Sequence, residues 1–335
     1  MKVKIVILNW NGRAHLERFL PSVVAHSGEA SVVVADNGSN DDSVPFLREH
    51  YSQVELLQLD QNYGFAEGYN RALSRIEADC YVLLNSDVEV EEGWLNPLVA
   101  RLAADEKVAA LAPKIISYER KSDFEYAGAA GGFIDCFGYP FCRGRILDTI
   151  EKDQGQYDTA REVFWASGAC MVVRADLFHK LGGFDGDFFA HMEEIDLCWR
   201  MQLAGYRVMV EPRSQVFHLG GGTLPNNSAR KLYLNYRNNL SMLFKNLSRR
   251  SLLPVLFARM VLDGMSAMVF LLQRRPDFFK VVFRAHMDFY HALNTLRIKR
   301  RVIQQSRIAS ASSNIYKGSI ILRHALGKRT FDHLM

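Results

Sequence analysis

The chain has 335 residues, is 48% hydrophobic and carries a formal net charge of +4. That length and apolar content bury one large or two medium domains and exclude a disordered or repetitive chain. Five cysteines without a C-x-x-C pair argue against a disulfide framework or structural zinc, and for reduced thiols in a cytoplasm.

Charge is unevenly spread. Residues 245–335 hold 17 lysines and arginines against 4 aspartates and no glutamate, a net +13, which leaves −9 for residues 1–244. We therefore expect an acidic body at 1–244 and a basic helical tail at 245–335. Acidic surfaces bind metals and basic ones bind phosphates, while the acidic body speaks against a nucleic-acid partner. The N-terminal stretch shows no export signal, and sequons such as Asn226 to Ser228 are uninformative in a cytoplasmic chain.

In chain order, "VKIVIL" at 3–8 and "SVVVA" at 31–35 predict parallel strands covered on both faces. Between them Leu16, Phe19, Leu20, Val23 and Val24 recur at helical spacing over 13–26. A helix at 43–50, a strand at "VELLQL", a helix at 65–77 and a strand at "CYVLLN" follow. This alternation is that of an open nucleotide-binding sheet, whose ligands lie beyond the carboxyl ends of the strands, where Asn9, Asp36 and Asp87 stand. A helix at 93–104 and a strand at "VAALAPKII" continue the pattern. Residues 118–162 read as loops or a small antiparallel insertion. "EVFWASGACMVVRADLFHKLGGF" predicts a strand and a short helix, and a further helix ends at Gly205. "YRVMVEP" and "SQVFHLGGG" predict a strand and a strand running into a loop. Residues 252–272 approach the length of a membrane span but contain Arg259 and Asp263, so an amphipathic or interfacial helix is expected.

Four motifs carry chemistry. Asp36 heads "DNGSND" after an apolar strand, either as a turn former or as a carboxylate accepting from the imide N–H of a pyrimidine base. "NYGFAEGYN" offers Gly64 and Gly68 around a helix start, where small residues admit a ligand to the backbone. "LLNSD" sets Asn85, Ser86 and Asp87 at the mouth of the sheet as oxygen ligands suited to a hard divalent cation. His218 ends another strand, as a structural hydrogen-bonder or a ligand. "HMEEIDLCWR" at 191–200 crowds Glu193, Glu194 and Asp196 onto a helix start, either as solvated first-turn acids with Asp196 paired to Arg200 or as catalytic carboxylates.

The order of "NWNG", "ADNGSND", "NYGFAEGYN", "LLNSD", "WASGACMVVR", "GGFDGDFFAHMEEIDLCWR" and "VFHLGGG" over residues 3–244 resembles glycosyltransferase family 2, the inverting enzymes of GT-A fold, in a rhamnosyltransferase-like branch that builds bacterial surface polysaccharides. The resemblance implies an α/β fold with an open mixed sheet flanked by helices. It implies a nucleotide-sugar donor (a dTDP, UDP or GDP sugar) on Asn9, Trp10, Asn11, Asp36, Asn62, Gly64, Asn70, Asn85 and Ser86. Mg2+ or Mn2+ would sit at Asp87 and His218. The catalytic base would be Glu194, with Glu193 the contender, and relatives often have aspartate at the first of these. Asn85 stands where many relatives carry the first acid of an Asp-x-Asp. A lipid-linked glycan acceptor and a peripheral position on the inner face of the plasma membrane are expected, the basic tail meeting anionic lipid or a second copy in a homodimer. A sugar-1-phosphate nucleotidyltransferase would need a glycine-rich basic loop after the first strand, which "NWNGRAHLERF" lacks. A non-catalytic sugar-nucleotide-binding or assembly protein is the remaining alternative.

Overall fold

The computed structural model describes residues 1–220, 228–309 and 314–334, so the last two glycines of "VFHLGGG" lie outside the described residues. The chain runs β1 (Val3–Asn9), α1 (Arg13–His26), β2 (Ser31–Asp36), α2 (Ser43–His50), β3 (Glu55–Gln58), α3 (Gly64–Leu73), β4 (Cys80–Leu84), β5 (Val88–Val90), α4 (Leu95–Ala104) and β6 (Val108–Ser117). Short strands follow: β7 (Gly132–Asp135), β8 (Pro140–Cys142), β9 (Arg145–Ile146), β10 (Thr149–Ile150) and β11 (Arg161–Glu162). Then come β12 (Cys170–Arg174), α5 (Ala175–Lys180), α6 (Glu193–Leu203) and β13 (Arg207–His218). The remainder is α7 (Ala229–Asn246), α8 (Arg249–Leu272), α9 (Pro276–His291), α10 (Leu293–Gln305), β14 (Ile315–Tyr316) and α11 (Ile320–Ala325).

The main sheet is mixed, in the order β11-β13-β6-β12-β4-β1-β2-β3, with β5 on β13. β1 to β4 are parallel, β12 inserts antiparallel between β4 and β6, and β13 is parallel to β6. Every side chain of β4 is buried, as a central strand with apolar layers on both faces requires. One layer packs α1, α2 and α4 on the sheet through Leu16, Leu20, Phe46, Leu98 and Leu102. The other joins α3, α5 and α6 to the C-terminal helices and includes Tyr69, Phe178, Trp199, Leu240, Phe289 and Leu296.

Two segments depart from the sequence expectation. The two strands expected at 206–212 and 214–222 are one strand, β13, because its pairing to β6 resumes after an irregularity between Glu211 and Gln215. The strand expected from residue 162 starts only at Cys170, since Trp165 instead bridges Gly132 and donates its indole N–H to the Phe133 carbonyl at 2.9 Å. Residues 118–162 do hold an antiparallel insertion, a second sheet in the order β10-β9-β8-β7-β14 whose last strand comes from near the C-terminus. α6 stops before Gly205, which takes the expected left-handed φ of +84°.

The basic C-terminal helices answer buried acids of the body. Lys245 on α7 lies 2.5 Å from Asp185 and 3.0 Å from Asp196, while Arg200 holds the other Asp196 oxygen at 2.9 Å. Lys299 on α10 reaches Asp185 and also Asp187, the latter at 2.7 Å. α8 turns its own ion pair inward, Arg259 to Asp263 at 2.7 Å, and presents Leu253, Phe257, Val261, Met265, Met268 and Leu272 outward. It is long and apolar enough to cross a membrane by length and composition.

Replacing Lys245 by methionine leaves two carboxylates in an apolar layer with one fewer counter-charge. Breaking such a buried network costs about 3–5 kcal/mol, which urea denaturation should register as a lower midpoint with unchanged slope.

Candidate active site

The carboxyl ends of β1 and β2 meet in one polar cluster. Asn9 donates its amide to Asp36 Oδ1 at 3.0 Å, and Asp36 Oδ2 accepts from the backbone N–H of Ser39 at 3.0 Å. Asn11, with φ of 50°, accepts from the backbone of Asn40 at 2.8 Å and donates its own N–H to Ser39 Oγ at 2.9 Å. Asn9 and Asp36 are buried, yet Asn9 Oδ1 has no hydrogen-bond partner in the protein, and Trp10 beside it is 46% exposed. An aromatic face next to an aimed but unbonded amide oxygen is the furniture of a flat, polar ligand.

Asn37 links this cluster to the start of α3. Its amide donates to Asn62 Oδ1 at 3.2 Å and to the Gly64 carbonyl at 2.9 Å, while Asn62 Oδ1 accepts from Gly64 N at 2.8 Å. Gly64 must be glycine: its φ is +77°, and an added Cβ would lie 2.5 Å from the Phe189 ring. Asn70, six residues on, belongs elsewhere. Both ends of its amide are committed to the Phe184 backbone, at 2.8 and 2.9 Å, so it ties α3 to the loop before α6 rather than facing Asp36.

Asp87 and His218 come together across β5 and β13. His218 Nε2 is 3.1 Å from Asp87 Oδ1 and 3.4 Å from the Asn85 amide, and its Nδ1 is 3.4 Å from Glu125. Burial opposes the imidazolium, but the two carboxylates dominate and raise the His218 pKa to about 10. Burial likewise opposes the Asp87 charge, and His218 overcomes it to hold Asp87 below its ordinary value. The Asp87–His218 contact is a hydrogen bond as it stands; with the His218 proton displaced, the same carboxylate and imidazole donors would suit a divalent cation. The described residues contain no cluster of three or more acids, histidines or cysteines that would cage a metal alone. Ser86 lies on the β1 side, near Gly12 and Asn9.

The acid pair sits at the other wall. Phe189, His191 and Met192 all have positive φ, at 64°, 69° and 74°, and lead directly into Glu193. Strain of about 1–3 kcal/mol per such residue must be held from outside. Asn238 on α7 holds it: one amide group donates to the carbonyls of Phe188, Ala190 and His191 at 2.8–2.9 Å. The Phe189 carbonyl accepts from Phe65 N at 2.7 Å and Ala66 N at 3.1 Å. Glu194 Cγ stands 4.0 Å from where a Cβ on Gly168 would be, and the adjoining Ala169 carbonyl accepts the Asn85 N–H at 3.0 Å, so the acid pair borders the end of β4.

The acids are not solvated first-turn residues. Glu193 is 4% exposed, and Oε2 of both Glu193 and Glu194 lacks a hydrogen-bond partner. Burial raises Glu194 to about 7, and burial with the Glu194 charge raises Glu193 well above its ordinary value. Asp196, fully buried, is the paired member, bonded to Arg200, Lys245 and the Asn246 amide. Sequence reasoning missed Glu125, which lies in the insertion without a motif. It also missed Asn238, for which "NYRNN" in mid-helix was a faint signal, since adjacent amides inside an amphipathic helix need partners.

The family model "Glycosyl transferase family 2" matches residues 4–182. Among curated proteins, the chain is 29% identical over 234 residues to the N-acetylglucosaminyl-diphospho-decaprenol L-rhamnosyltransferase of Mycobacterium tuberculosis, covering 64% of this chain and 75% of that one. It is 26% identical over 225 residues to Rhamnosyltransferase WbbL of Escherichia coli, covering 64% and 83%. Among solved structures, GalNAc-T7 with UDP, GalNAc and Mn2+ superposes with a TM-score of 0.57 at 16% identity, over 73% of this chain and 48% of that one. The fold is GT-A-like, a mixed α/β sheet with C-terminal helices.

Glu194 should titrate with a midpoint near pH 7, visible as a carboxyl stretching band in difference infrared spectra that vanishes in Glu194→Gln. A midpoint near 4 would show that the side chain is solvated.

Proposed function

Because the chain belongs to glycosyl transferase family 2, we propose that it moves a sugar with inversion from a nucleotide-diphosphate donor to a hydroxyl of a lipid-linked glycan, in bacterial surface polysaccharide synthesis. The single observation that carries this is Glu194: a half-buried side chain whose Oε2 is buried without a hydrogen-bond partner, fixed at the end of a strained loop beside the mouth of the sheet, where burial pushes its carboxyl up to about 7. A base poised near the working pH removes a proton efficiently without being idle in its acid form. Two relatives named as rhamnosyltransferases, one acting on a diphospho-decaprenol acceptor by its name, support a deoxyhexose donor and a lipid-linked acceptor.

In this reading the base of the nucleotide lies against Trp10 and meets Asp36, and the turn at Asn62–Gly64 lets the donor approach backbone. Asp87 and His218, with Asn85 and Ser86 beside them, would hold a divalent cation, which supplies positive charge to the leaving diphosphate. Mn2+ in a fold neighbour and the mixed oxygen and imidazole donor set favour manganese, with magnesium the alternative. Glu194 accepts the proton of the attacking hydroxyl as that oxygen bonds to the anomeric carbon and the glycosidic bond to the diphosphate breaks. Glu193, pushed toward its neutral form by burial and then by the Glu194 charge, stands ready to donate a hydrogen bond to the acceptor. Asp196 takes no part in the chemistry.

We further propose that the enzyme works on the inner face of the plasma membrane, with the tail at 245–335 turned to anionic lipid. The outward apolar stripe of α8 supports this, as do the flanking Arg249, Arg250, Arg274 and Arg275. A homodimer through the same stripe is the second reading.

EDTA should abolish transfer, and Mn2+ or Mg2+ should restore it. Asp87→Ala should remain folded but inactive. Glu194→Gln should lower kcat by about 10² or more with donor affinity little changed. The wild-type rate should rise with pH through about 7 and level off above, because only the deprotonated Glu194 takes the proton. Full activity in EDTA, or a normal rate for Glu194→Gln, would overturn the mechanism.

Co-sedimentation with anionic liposomes should weaken at high salt and in Phe257→Glu, whose side chain is 72% exposed. Binding insensitive to both would remove the membrane reading, and a concentration-dependent dimer lost in Phe257→Glu would establish the other.

A further inference from the structure

Against the strained loop, at Phe189, a cavity of about 500 Å³ is lined by Phe189, Arg230, Tyr233, Arg237 and Arg284 among others. Its charged lining is cationic. Arg230 stacks on the Phe189 ring at 4.5 Å, and Arg284 is 77% exposed in its side chain. Arg237 is engaged by the carbonyls of Asp187 and Phe188. The acid nearby is Asp288, which accepts from the Tyr233 hydroxyl at 2.6 Å and lies 3.7 Å from Arg284, leaving an excess of positive charge.

A second cavity of about 650 Å³ opens on the other flank of α9. It is lined by Met260, Met265, Met268, Phe283 and Met287 among others. Its lining is almost wholly apolar, and methionines adapt to branched or irregular hydrocarbon. Val281 and Arg284 border the first cavity, and Val282, Phe283 and Met287 the second, so one helix separates a polycationic pocket from a greasy groove within two turns.

That pairing matches an amphiphile with a compact polyanionic head. We infer that the two cavities form the acceptor-lipid subsite: Arg230 and Arg284 bind the diphosphate of a lipid-linked acceptor, and the groove between α8 and α9 takes the near end of its hydrocarbon chain. Charge complementarity selects the head, since a diphosphate can accept from both guanidiniums at once. The first sugar on that diphosphate then extends past Phe189 toward Glu194, five residues along the chain. The donor's own diphosphate is assigned to the opposite wall, at Asp87 and His218. This inference rests on the lipid-linked acceptor proposed above.

The test uses the full-length protein and farnesyl diphosphate as the probe, with binding read by calorimetry and no donor present. Farnesyl diphosphate should bind at least about tenfold more tightly than farnesol or inorganic pyrophosphate, because head and chain contribute together. Arg284→Glu and Phe283→Asp alter exposed side chains, and each should weaken binding by about tenfold or more. UDP should not displace the probe. Equal binding of the probe and its separate halves, unaltered binding in both variants, or full displacement by UDP would each overturn the subsite. Because turnover is not measured, the outcome is independent of the functional reading. Failure to transfer to any lipid acceptor would end that reading while leaving a positive binding result intact.

Discussion

One ammonium group between two buried aspartates determines where the Glu193–Glu194 pair stands. Lys245 binds Asp185, at the start of the loop, and Asp196, in the first turn of α6. Asp185 also caps a short helical turn by accepting from the Asp187 N–H. Between these two anchored aspartates run the three left-handed residues and the Glu193–Glu194 pair. With both ends fixed by charge in a low-dielectric layer and the middle fixed by Asn238, the loop has no cheap alternative conformation. The negative body and positive tail seen in the composition are thus two halves of an internal neutralisation, in addition to whatever the tail does at a surface.

The two walls of the site treat charge in opposite ways. At Asp87 and His218, buried groups of opposite sign sit within reach of one another, so in the metal-free site Asp87 is held below its ordinary value and His218 above its own, and a bound cation would have to displace the His218 proton. At Glu193 and Glu194 burial drives both acids upward, and the Glu194 charge adds to it at Glu193. A wall that holds fixed charge suits a leaving diphosphate, whereas a wall that resists charge suits a group that must accept a proton and release it.

Much of this was legible in the sequence, and the reasons are local. β1 to β4 are continuous apolar runs that end in polar turns, so both the strands and the polar side chains gathered at their ends announce themselves. The helix from Glu193 to Leu203 and its stop at Gly205 follow from spacing and a glycine, and the Asp196–Arg200 pair follows from i,i+4 geometry. What escaped depends on distant partners. Glu125 gains meaning only when β13 brings His218 to it, and Asn70 looks like a ligand until Phe184, 114 residues away, takes up its amide. The irregular start at Trp165 was likewise unreadable, because the indole's partner is on β7.

The contact of Phe189 with Gly64 joins the two walls. The start of α3 is bonded to Asn37 and Asn62 on the nucleotide side, and it donates two backbone N–H groups to the loop that precedes the acids. The turn at Asn62–Gly64 and the loop that leads into Glu193 and Glu194 are therefore a single mechanical body, with a hydrogen atom at Gly64 as the clearance between them. Divergence toward a new sugar within this architecture has to proceed through side chains that stand on that body, because any change that shifts one wall drags the other out of alignment with it.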